Sequence, residues 1–92
     1  MEDRYYVIIG IKPLMNYVVA CMTLFNEGEP RIVIRARGRN ISKAVDVTEM
    51  LRRVFIKDVE IGKIQLGTEV HMNPAGKESS VSTIEIPLLK TE

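Results

Sequence analysis

Few side chains in this sequence are equipped for covalent chemistry. It contains one histidine, His71, and one cysteine, Cys21, and no dense carboxylate pair suggests a general acid facing a general base. His71 stands beside a turn sequence, the ordinary place for a surface histidine. Cys21 falls on an apolar helical stripe, where cysteine behaves as a small buried hydrophobe. With no second cysteine, neither a disulfide nor a cysteine-based zinc site can form within the chain, which fits a reducing, intracellular compartment. Asn73-Pro74-Ala75-Gly76-Lys77 ends in Gly-Lys but lacks the glycine spacing and the following Ser/Thr of a phosphate-binding P-loop. It reads as a turn. These residues predict no enzyme, no metal centre and no cofactor.

Anion binding is better represented. Gly10-Ile11-Lys12-Pro13 lies between a strand pattern and a helix start, where free amides and the helix dipole favour negative charge and Lys12 adds a mobile cation. Ala36-Arg37-Gly38-Arg39-Asn40 repeats this arrangement with two arginines around a glycine. If the two strands are neighbours, Lys12, Arg37, Arg39, Asn40 and Lys43 converge on one patch. Arginine forks grip phosphate oxygens bidentately and glycine lets a backbone approach closely, so the patch suits a nucleic-acid backbone. The structural alternative is that Arg37 and Arg39 only pair with Glu27, Glu29 or Asp46. The charge distribution favours the first reading. Thirteen Lys+Arg face twelve Asp+Glu over the whole chain, yet Arg31 to Lys57 holds eight basic and two acidic residues, a net +6. The rest holds five basic and ten acidic, a net −5.

The elements that must position these residues follow from periodicity. Tyr5 to Ile11 is a short β-branched and aromatic run, read as a buried strand. Pro13 opens a helix, which Leu14, Tyr17, Val18, Cys21, Met22, Leu24 and Phe25 continue until Asn26-Glu27-Gly28 stops it. Arg31 to Arg37 alternates, with Ile32, Ile34 and Ala36 facing the core and the arginines facing away. Asn40 or Ser42 is placed to cap a second helix. Ile41, Ala44, Val45, Thr48, Leu51, Val54 and Phe55 form its stripe, and it should end near Lys57. Val59 and Ile61 then alternate in odd phase and Ile64, Leu66, Thr68, Val70 and Met72 in even phase, so a bulge is expected near Gly62. Asn73 to Gly76 turns the chain, and Ile84, Ile86 and Leu88 run back. Pro87 lacks a ladder N–H and should lie on an edge strand or face outward. The expected fold is α+β: a βαβαββ two-layer sandwich with a four-stranded mixed sheet, both helices on one face, and a long hairpin made by the last two strands.

The chain has 92 residues, 46% of them hydrophobic and 27% charged. That is one domain, spanning 1–92, with a composition that folds rather than stays disordered. Its longest apolar runs, such as Tyr17 to Met22, are far short of the roughly 18–20 residues of a membrane span. Glu2 and Asp3 are unlike the cationic start of a signal peptide, so no membrane anchor or export is expected.

Four separated segments resemble the Alba family of small archaeal chromatin proteins: Gly10 to Val18, Ile34 to Asp46, Gly67-Thr68-Glu69 and Val81 to Ile86. The similarity spans roughly residues 5 to 90 with every element in order. It implies a fold like the C-terminal domain of a translation initiation factor, and a homodimer. The implied activity is binding of double-stranded DNA without sequence preference, binding of RNA as well, and coating, bridging or condensing of duplexes through higher assembly. Long hairpins would reach along the minor groove. By position, Lys12, Arg37, Arg39 and Asn40 fall in the family's central binding surface, Asn16 in its first-helix motif and Lys77 in the hairpin tip, with Lys43 beside them. Phe55 matches an aromatic position used between dimers, or is a helix-end core residue. The implied location is cytoplasmic, on the chromosome.

Two departures stand out. The family's first junction often carries two lysines, and acetylation of the first weakens DNA binding; here that position is Ile11. The hairpin, often basic in the family, holds Glu69, Lys77 and Glu78. Both suggest a divergent paralogue with weaker duplex affinity, altered assembly or a preference for RNA. The alternative readings are a ribonucleoprotein subunit, a heterodimer partner modulating a more basic paralogue, or a protein-interaction module working through Phe55.

Overall fold

Alternating isoleucines and arginines make β2 (Arg31–Arg37) two-faced: Ile32, Ile34 and Ala36 are buried on one side, while Arg35 and Arg37 are exposed on the other. The computed structural model describes residues 5–91; Glu2 and Asp3 lie outside them. β1 (Tyr5–Ile8) pairs with β2 in parallel, Val7 opposite Ile34. The intervening α1 (Leu14–Asn26) is the crossover such a pair requires. α2 (Asn40–Met50) follows β2 and leads through a π-helical segment, Leu51–Phe55, to β3 (Val59–Ile61), β4 (Gln65–Met72) and β5 (Glu78–Lys90).

β5 is the spine of the sheet. It pairs antiparallel with β2 on one side and with both β3 and β4 on the other, so five strands make a sheet four strands wide. The expected phase slip is there: Ile61 opposes Leu88 and Gln65 opposes Glu85, so residues 62–64 stand across from 86–87. The added residue flips the side-chain phase between β3 and β4. It also explains Pro87, which sits in an interior strand. Its carbonyl accepts from Gly62 N–H at 2.8 Å, and a residue's carbonyl and nitrogen share one side of a strand. The missing N–H therefore faces the break between β3 and β4, where no ladder bond is lost.

Both helices pack on the Ile32–Ile34 face. Val18, Cys21 and Phe25 from α1, Ala44, Val47 and Leu51 from the second helical stretch, and Ile84, Ile86 and Leu88 from β5 form one buried cluster. α1 stops as its sequence predicts: Gly28 takes φ +98°, its N–H reaches Phe25 O at 3.0 Å, and Glu29 N–H reaches Leu24 O at 3.1 Å. The second helix departs from its expected stripe. Val47 is buried, whereas Val45 and Val54 are exposed. In the π-helical segment Ile56 N–H reaches back five residues to Leu51 O at 2.8 Å. The added residue in that turn carries the following side chains further round the axis, leaving Phe55 41% exposed and Ile56 against the core. Among the described residues, no helix is long and apolar enough to cross a membrane.

Burial pushes the Cys21 thiol up to about 12. The unfolded thiol ionises near its ordinary value of 9.0, so between these two values the unfolded state binds fewer protons and stability falls as pH rises. Denaturant titrations of the protein and of Cys21→Val across that window should show a shallower decline for the variant; identical declines would contradict the burial of the thiol.

Candidate nucleic-acid interface

Parallel pairing carries β1 and β2 to the same sheet edge, and each feeds a helix there. The first junction is held by two side chains from different helices. The Tyr17 hydroxyl accepts from Gly10 N–H at 2.9 Å and from Lys12 N–H at 3.1 Å. Lys43 Nζ donates to the carbonyls of Gly10 and Lys12, both at 2.8 Å, and lies 5.8 Å from the Tyr17 ring centroid. Lys43 thus ties the start of α2 to the β1–α1 loop, and its contribution to the patch is a fixed positive charge rather than a free arm. The loop residues between these bonds point outward: Ile11 is 96% exposed and Lys12 is exposed. Tyr17 was not among the expected site residues. The available signal was a phenol on an otherwise apolar stripe, since a partly buried hydroxyl requires a polar partner.

The second junction turns on Gly38, which adopts φ +57° and donates to Ser82 O at 2.8 Å. Ile41 N–H reaches the Gly38 carbonyl at 3.1 Å. This backbone bond takes over the work expected of Asn40 or Ser42: Arg39 holds the cap position with no side-chain cap bond, and Asn40 is already the first helical residue. Arg39 is exposed and makes no ion pair among the described residues.

Arg37 leaves the end of β2 on the sheet face away from the helices. Its Nη2 lies 3.2 Å from Glu69 Oε1 and 3.2 Å from His71 Nε2, which is itself 3.3 Å from the same carboxylate oxygen. The acidic partner comes from the hairpin, not from Glu27, Glu29 or Asp46. Next to it, Arg35 Nε pairs with Glu85 Oε2 at 2.9 Å and its guanidinium carbon lies 4.7 Å from the Tyr6 ring centroid. A recess of about 350 Å³ opens between Ile8, Arg37, Asn40, Glu69 and Thr83. Exposed pairs such as Arg37–Glu69 contribute about 0–1 kcal/mol, so a phosphate offering two oxygens can displace the carboxylate.

The remaining expected residues are spread out. Asn16 is exposed in the first turn of α1, beside the pinned loop. Lys77 is exposed at the hairpin tip, where Asn73 Oδ1 accepts from Ala75 N–H at 3.0 Å and Lys77 N–H at 2.8 Å. Arg37 opposes Thr83 on β5, six residues from Lys77 and so about 20 Å along the strand. Phe55 ends the helical stretch that Asn40 begins, about 22 Å along its axis. Neither belongs to the junction patch. Among the described residues, no three His, Cys, Asp or Glu side chains gather as a metal site.

The comparisons agree with this architecture. The Alba family model matches residues 6–68, more than half of the chain. The chain belongs to the Alba family. Members of this family are nucleic-acid-binding architectural proteins rather than enzymes. A DNA/RNA-binding protein Alba from Methanocella arvoryzae is 48% identical over 86 residues, covering 94% of this chain and 90% of that protein. Alba from Thermoplasma volcanium superimposes with a TM-score of 0.84 at 48% identity, covering 91% of this chain and 98% of that one. ALBA1 from Trypanosoma brucei does so at 0.77 and 27% identity, covering 98% and 72%.

Tyr17→Phe removes the acceptor of two loop amides. It should cost about 1 kcal/mol of stability and raise hydrogen exchange at Gly10 and Lys12 while leaving the core strands protected. Unchanged exchange at both amides would show that the hydroxyl does not hold the loop.

Proposed function

We propose that this protein binds nucleic-acid backbones, double-stranded DNA above all and RNA as well, without sequence preference and without catalysis. The observation that carries the reading is the meeting of two strand-to-helix junctions at one sheet edge, with Lys12 and Arg39 free toward solvent, Asn40 between them and Lys43 fixed behind. Arg37 extends this surface onto the open sheet face, Asn16 adds a polar contact at its margin, and Lys77 offers a separate basic contact about 20 Å away at the hairpin tip. The whole chain, 1–92, acts as the binding domain. A homodimer is supported by the hairpin. Leu66, Val70 and Met72 share the face of Ile84 by register, yet they are 79%, 58% and 68% exposed. A second copy would cover this strip and bring two basic edges to one duplex, which is the requirement for coating or condensing DNA in the nucleoid. Half-exposed Phe55 is placed for contacts between such dimers or with a paralogue.

If a dimer neutralises about six phosphates, log K for duplex DNA should fall against log[salt] with a slope of about −5. Replacing Arg39 and Arg37 by alanine should flatten that slope and weaken all sequences alike, because phosphate contacts carry no sequence information. Salt-independent binding, or losses confined to particular sequences, would contradict the mechanism. Glu69→Gln removes the anion that competes for Arg37. Duplex affinity should rise a few-fold and the slope steepen; weaker binding would mean that Glu69 positions Arg37 for the ligand instead of masking it.

A further inference from the structure

Among the described residues Ile11 is the most exposed of the large hydrophobic side chains, at 96%, and it is held there. Gly10 and Lys12 on either side each have both N–H and C=O occupied, by the Tyr17 hydroxyl and the Lys43 ammonium. Pro13 follows, with φ −60°. A loop fixed at four points cannot fold its central side chain back onto the protein. Nor is backbone strain responsible, since no non-glycine residue among those described has positive φ. An apolar side chain displayed rigidly beside a cation is placed to gain from an apolar surface that lies next to negative charge.

A nucleic-acid backbone has that alternation, with a sugar between successive phosphates. Resting on the nucleic-acid-binding reading above, we propose that Ile11 packs on the sugar next to the phosphate held by Lys12, and that it selects deoxyribose over ribose. Deoxyribose presents only C–H groups at its 2′ carbon. Ribose presents a hydroxyl, which must be stripped of water against isoleucine with no partner in return. Ile11 supplies affinity that is independent of salt and of sequence, and it shifts the preference of the patch toward DNA. Lys12 supplies affinity that falls with salt. A single peptide bond therefore separates an electrostatic contact from an apolar one.

Association constants for a DNA duplex and an RNA duplex of the same sequence, measured over a series of salt concentrations, test this. Ile11→Ser should weaken DNA binding about tenfold, the effect of re-exposing roughly half an isoleucine side chain, and RNA binding less than twofold. Its log K against log[salt] lines should stay parallel to the parent's, whereas Lys12→Ala should flatten them. Ile11→Leu should keep the parent's DNA preference. Equal losses on DNA and RNA, affinities within twofold on both, or a changed slope for Ile11→Ser would overturn the assignment while leaving backbone binding intact. A parent that binds neither duplex would remove the functional reading and this inference together.

Discussion

Everything proposed for the surface depends on the parallel pairing of β1 and β2. Strands running the same way end at the same edge, so the helices that follow them also begin there. The start of each helix and the basic residues around it are then neighbours without any long-range design. Lys43 and Tyr17 convert this proximity into rigidity, because each reaches the β1–α1 loop from a different helix. An antiparallel pair would send the two junctions to opposite ends of the sheet. The crossover rule of the fold and the proposed binding patch are thus one constraint.

The charge balance takes on meaning from this geometry. A net charge of +1 conceals a basic edge partly answered by hairpin carboxylates. Glu69 on β4 and Glu85 on β5 sit on the same sheet face as Arg37 and Arg35 and pair with them. Lys12 and Arg39, at the edge itself, project into solvent. The junctions therefore carry cations that make no ion pair among the described residues, while the arginines of the open face stand behind displaceable partners. Such a surface would meet phosphate at a few points rather than through a broad basic field, which limits affinity and, with fewer phosphates neutralised, keeps its dependence on salt shallow.

Much of this was legible in the residues because it rests on local pattern. The alternation of β2, the glycine stop of α1, the phase change near Gly62 and the similarity of the two junctions each follow from spacing within a few residues. What could not be read depends on register between distant segments. Glu69 meets Arg37 only because the bulge at 62–64 sets which β4 residue lies across β5 from β2. Lys43 has the same spacing signal as an exposed helix lysine; its two carbonyl acceptors belong to a loop 31 and 33 residues away. The missing N–H of Pro87 points to an edge or outward position, yet the break opposite it satisfies the same constraint inside the sheet. The outward turn of Phe55 comes from a local widening of the helix that no apolar stripe encodes.

On this proposal the two junctions act as one surface. Amide hydrogen exchange of the protein with and without a short DNA duplex, resolved to single residues, tests it directly. If the junctions do so, residues 10–12 and 38–40 gain protection together, at the same duplex concentration. Protection confined to the hairpin tip around Lys77 or to the helix end at Phe55, with both junctions unchanged, would contradict it.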